Sequence, residues 1–168
     1  MLLQALARLD PRWRLSHAEN TLTLHKSTLG EPYLLLGDQP GPSLSFSHGR
    51  ERLWAAMSSK GRVGIDVAYP EEFAADYPFA KAFRPEELDS ARAICNNDTA
   101  RGAALIWSAK EASVKATGTG FNRFDPLDVR VGAPISREQG IGFEVLTDRP
   151  ITAWARKEGM GWLCVALA

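Results

Sequence analysis

The sequence predicts an α+β fold, a single domain over residues 1–168. Short segments of alternating apolar and polar residues open the chain, helix-forming segments fill its middle, and alternating segments return behind them. No linker or low-complexity stretch divides it. Its 168 residues lie within the ~100–200 that one domain commonly takes.

Taken in order, Met1 to Leu9 places Leu2, Leu3, Leu6 and Leu9 on a short packing helix. Arg8 and Asp10 end it well before the ~20 apolar residues of a membrane span. Asp10 to Asn20 is a polar connector. Thr21 to His25 alternates Leu22 and Leu24 inward as a strand, with His25 a polar residue at its end, and Gly30 to Leu36 is extended. Gly37 to Pro42 is a loop by its Gly and Pro content. Ser43 to Ser47 alternates again around Leu44 and Phe46, and His48-Gly49-Arg50 turns the chain into Leu53 to Met57. Val63 to Val67 is a strand with Val63, Ile65 and Val67 on one side and Gly64, Asp66 and Ala68 on the other.

Tyr69 to Phe83, with two prolines and five aromatics, predicts a broken helix with an exposed apolar side. Pro85 opens a helix whose first turn holds Glu86 and Glu87, where the dipole favours acids, and which runs to about Cys95. Asp98 caps a second helix that runs to Thr117 and stops at Gly118, about five turns at ~3.6 residues each. Beyond it, Leu127 to Val131, Gly142 to Thr147, Ile151 to Lys157 and Gly161 to Leu167 read as strands.

Charge and cysteine content limit the functional classes. Twenty Lys and Arg balance twenty Asp and Glu, so no basic field points to nucleic acid. Cys95 and Cys164 are too few and too far apart for a disulfide framework or a zinc motif, which predicts a cytoplasmic protein in a reducing compartment. Neither a nucleic-acid nor a membrane partner is expected.

The informative stretch is Trp107 to Gly120. Trp107, Glu111 and Val114 share one helical stripe, so a carboxylate interrupts an apolar face and needs a partner. Lys115, one turn on, can supply it as an ordinary helix pair. A second carboxylate, Asp66, stands between the small residues Gly64 and Ala68 with open space around it, as a ligand site would. Gly118-Thr119-Gly120 closes a helix instead of opening one after a strand, which excludes a dinucleotide-binding loop.

Three ordered blocks, Ser45-Phe46-Ser47-His48, Gly64-Ile65-Asp66-Val67 and Trp107-Ser108-Ala109-Lys110-Glu111-Ala112-Ser113-Val114-Lys115-Ala116-Thr117-Gly118, resemble the 4′-phosphopantetheinyl transferases, more closely the surfactin-synthetase-activating type than the small holo-acyl-carrier-protein synthases. Gly30-Glu31-Pro32-Tyr33 and Arg84-Pro85-Glu86-Glu87-Leu88 also match. The resemblance implies strands packed with helices in two pseudo-equivalent halves, the first abbreviated. It implies a Mg²⁺-dependent enzyme that moves phosphopantetheine from coenzyme A to a serine of an apo acyl or peptidyl carrier protein. In its terms Asp66 and Glu111 are the metal ligands. Lys115, and less directly Lys110, reach the phosphates, and Ser47 and His48 line the coenzyme. Glu111 or a metal-held water is the base, which leaves Asp66, Glu111 and Lys115 as the catalytic set. Phe79, Lys81, Phe83 and Arg84 lie where relatives bind the carrier protein.

The chain also departs from the pattern. Ala68 stands where the surfactin type has a third acid, and Glu31 where relatives often place a lysine, so that either Lys26 or Arg50 substitutes or affinity for the coenzyme is lost. The N-terminal region of the larger relatives is missing or shortened to Met1 to Trp13, which would leave a surface that self-association covers. These departures favour the alternative of a non-catalytic relative that binds coenzyme A or a carrier protein.

Overall fold

The computed structural model describes residues 22–74 and 76–168. The helix and connector expected at 1–20 lie outside the described residues. Strands β1 (Leu22–Lys26), β2 (Pro32–Leu36) and β3 (Gln39–Pro40) form a small antiparallel sheet. Strands β4 (Ser43–Gly49) and β5 (Arg52–Ser58) form a hairpin. The main sheet has the order β6 (Val63–Ala68), β11 (Gly161–Leu167), β10 (Pro150–Glu158), β9 (Gly140–Leu146) and β7 (Arg130–Val131), with β8 (Ile135–Arg137) also on β9. All of its pairings are antiparallel.

Between β6 and β7 come a 3₁₀ turn (Pro70–Phe73), α1 (Phe79–Ala82), α2 (Pro85–Ile94) and α3 (Thr99–Thr117). The caps of α3 follow the sequence: Asp98 accepts from the Arg101 N–H at 3.0 Å, and Gly118 takes the left-handed conformation at φ 81°. Asn96 and Asn97 turn the chain from α2 into α3 with φ of 57° and 61°, which asparagine tolerates better than most residues.

Helix α3 lies across the main sheet, and its buried residues Ala109, Ala112 and Val114 share a core with Val145, Ile151, Ala155 and Cys164. The two sides of β6 are as the alternation predicts. Ile65 and Val67 pack with Tyr69, Leu163 and Trp54, while Ala68 joins the core on the helix side. Gly64 is in contact with the helix backbone itself. A Cβ there would meet the Ala112 carbonyl and lie 2.7 Å from the Ala116 nitrogen. The open space expected around Asp66 is therefore where α3 enters.

Other expectations change. Leu24 does not point into the core but is 55% exposed, because it lines a cleft. The described residues of the segment 69–83 turn most of their aromatic surface inward. Tyr69, Phe73 and Phe83 are buried, and Phe73 meets Tyr77 edge-on at 4.8 Å while Phe83 meets Trp107 at 6.0 Å. The strand predicted at 127–131 shortens to Arg130–Val131, because Asp125 holds the Leu127 N–H in a turn at 2.9 Å. The turn after β4 falls at Arg50 and Glu51, so His48 stays in the strand. No described helix is long and apolar enough to cross a membrane.

The Gly64 contact yields a direct test. Gly64→Ala should lower stability by about 1–3 kcal/mol through overpacking, read as the shift of the urea unfolding midpoint.

Candidate active site

Asp66 is carried by the strand that Gly64 holds against the helix, and Glu111 and Lys115 are one turn apart on that helix. The close approach puts them together. The Lys115 ammonium lies 2.7 Å from Asp66 Oδ1, 3.8 Å from Glu111 Oε2 and 3.3 Å from the Ile65 carbonyl oxygen. Two carboxylates, far apart in sequence, thus share one cation. The lysine sits between the acids, where the sequence places it merely near them.

The electrostatics follow from burial. Asp66 is 6% exposed, and burial raises its carboxyl above the ordinary range against the opposing pull of Lys115 and of the Ser47 hydroxyl. Burial also raises Glu111, and the neighbouring Asp66 adds to the shift while Lys115 opposes it.

Sequence reasoning missed two neighbours. Glu72 accepts from the Tyr69 N–H at 2.7 Å, and its charge is felt by Glu111. The Tyr77 hydroxyl is raised by burial and then by Glu72 and Glu111. Neither stands in a recognisable motif. Their position four and nine residues beyond Ala68, in the turns that follow β6, is the one signal available.

A cleft of about 620 Å³ opens beside the cluster. Glu111, Lys115, Gly118 and Gly120 form one wall, the β1–β2 hairpin forms another through Leu24, His25, Lys26 and Leu29, and Ser45 and Phe46 of β4 complete it. Lys26 lies in this wall. Arg50 does not, because it pairs with Glu71 and stacks on Tyr69, 4.4 Å from the ring centroid. Glu31 does not confront the cleft as a free charge either, since Arg62 pairs with it beneath Gly118.

Lys110, expected among the phosphate ligands, has no exposed surface. Its ammonium lies 2.8 Å from Glu87 and donates to the Ala82 and Pro126 carbonyls at 3.0 and 2.8 Å. The same Glu87 accepts from the Arg84 and Val131 N–H groups at 3.0 and 2.8 Å. Lys110 is thus a buried tie between α3, α1, α2 and β7, and a phosphate role does not fit it. Ser47 is also buried, donates to Asp66 Oδ1 at 2.9 Å and is not part of the cleft wall. His48 is exposed near the end of β4 and is not part of the cleft wall.

Among the described residues no three His, Cys, Asp or Glu side chains converge as a metal cage. Asp66 and Glu111 nevertheless fit a small hard cation, because both already face the Lys115 ammonium, and hard oxygens suit Mg²⁺. Ala68, fully buried in the core, contributes no third side-chain ligand.

Raised carboxyl groups fix the sign of the pH dependence. Glu111 favours the folded state while protonated, so that contribution is complete below its ordinary value of 4.5 and is lost as pH rises through the raised value. Glu111→Gln should flatten the fall in stability over this window, measured by urea unfolding across pH without added metal.

No curated protein matches the chain. A family model described as the 4′-phosphopantetheinyl transferase superfamily matches residues 62–162, a span that holds Asp66, Glu111 and Lys115. The chain belongs to the 4′-phosphopantetheinyl transferase superfamily.

Proposed function

We propose that the protein transfers the 4′-phosphopantetheine group from coenzyme A to a serine of an apo acyl or peptidyl carrier protein, releasing adenosine 3′,5′-bisphosphate. The observation that carries this reading is the meeting of Asp66, Glu111 and Lys115 beside a cleft large enough for much of the coenzyme. Pyrophosphate cleavage builds charge on phosphate oxygens while a hydroxyl attacks in line, so a site for it needs fixed cations and a base. Mg²⁺ held by Asp66 and Glu111 would supply Lewis-acid neutralisation of those oxygens.

The protein's own groups supply the rest. Lys115, partly exposed to the cleft, offers a point charge to a phosphate. Lys26 on the opposite wall offers a second. The apolar surface of Leu24, Leu29, Leu44 and Phe46 accommodates the uncharged parts of the coenzyme. Glu111, in the wall of the cleft, is the base this reading favours. The exposed Lys81 on α1 remains a contact for an acidic carrier helix, whereas the buried Phe83 does not. Two buried free cysteines agree with a reducing cytoplasm.

Incubation with apo carrier protein, coenzyme A and Mg²⁺ should add one phosphopantetheine mass to the carrier. Asp66→Asn and Glu111→Gln should each lower the rate by about 10²–10⁴-fold, followed by mass spectrometry. A wild-type protein that modifies none of several carriers would refute the proposal.

A further inference from the structure

We infer that Ser47 is a positioning residue for Asp66, placed there by a row of serines that ties β4 to the edge of the main sheet. This inference rests on the reading of Asp66 as a cation ligand. Among the described residues, strand β6 ends the main sheet and has β11 as its one backbone neighbour there. In an antiparallel pair alternate N–H groups face away from the partner, and on β6 those of Val63, Ile65 and Val67 are met by side chains. They donate to the hydroxyls of Ser43, Ser45 and Ser47 at 3.0, 3.1 and 3.2 Å, in step along the two strands. Side chains thus do the work of a strand ladder, and each rung satisfies a donor that would otherwise be unpaired.

Among the described residues, Ser47 alone of the three has a further side-chain partner. Its Oγ accepts from Val67, so its one hydrogen is available to an acceptor, and Asp66 Oδ1 lies 2.9 Å away. Lys115 approaches the same oxygen at 2.7 Å. The rotation of the Asp66 carboxylate is therefore fixed from two sides, by an ammonium on a long flexible stem and by a short hydroxyl bonded to the backbone. The hydroxyl is the more rigid of the two, and it remains in place when Lys115 turns toward a phosphate.

The test compares Ser43→Ala, Ser47→Ala and Ser47→Thr. Urea unfolding, Mn²⁺ affinity by electron paramagnetic resonance, and kcat and KM for coenzyme A with an apo carrier are measured on each. Both alanine variants lose one rung, and Ser47→Ala, which also loses the bond to Asp66, should lose more stability than Ser43→Ala. Ser47→Ala should bind Mn²⁺ about 10–100-fold more weakly, as loss of an outer-shell partner does, and lower kcat with KM for the coenzyme unchanged. Ser47→Thr should restore the affinity, and Ser43→Ala should keep the wild-type value. Equal weakening in Ser43→Ala, or wild-type Mn²⁺ affinity in Ser47→Ala, overturns the inference. A raised KM for the coenzyme with Mn²⁺ affinity intact would make Ser47 a coenzyme contact and overturn it too. If the wild-type protein binds no Mn²⁺, the cation reading fails and takes the inference with it.

Discussion

Everything at the candidate site depends on how closely helix α3 can approach strand β6. Gly64 has no side chain, and the helix backbone at Ala112 and Ala116 occupies the space where one would be. Asp66 is two residues along the same face of the strand, and Lys115 and Glu111 flank the contact on the helix. A larger residue at 64 would move the helix outward, and the distances of 2.7 and 3.8 Å from the ammonium to the two acids would open with it. Packing at a glycine thus sets the electrostatics of the cluster.

The helix carries two lysines with opposite fates. Lys110 and Lys115 are five residues apart, so at ~100° per residue they leave the helix about 140° apart. One is directed into the protein, where Glu87 and two carbonyl oxygens meet its ammonium. Burial lowers its pKa while Glu87 opposes the shift. A buried pair of this kind is costly to break, since removing one member strands the other charge. It joins α3 to the two shorter helices and to β7, the far end of the main sheet. The other lysine reaches the rim of the cleft, where its charge is available.

Local signals made much of this legible in the sequence. Asp98 and Gly118 mark the ends of α3, and the alternation of Val63, Ile65 and Val67 against Gly64, Asp66 and Ala68 assigns the faces of β6. The pairing of Asp66 with the Glu111 and Lys115 stripe followed from ordered blocks of sequence. What sequence did not reveal depends on long-range contact. Lys110 reads as a neighbour of Glu111, and only the fold shows Glu87 waiting on the opposite side of the helix. Ser43, Ser45 and Ser47 read as the polar side of a strand, yet they are hydrogen-bonded to the edge of another sheet. Phe83 reads as an exposed contact because its cluster with Phe73, Tyr77 and Trp107 is assembled from separate segments.

The central claim is that Asp66 and Glu111 face one cation position, which Lys115 fills with its ammonium. Crystals grown with Mn²⁺ and measured for anomalous scattering test it most directly. The account predicts one strong peak touching both carboxylates, with the Lys115 ammonium moved off Asp66. A peak at other residues, or none at the pair while Lys115 stays in place, would contradict it.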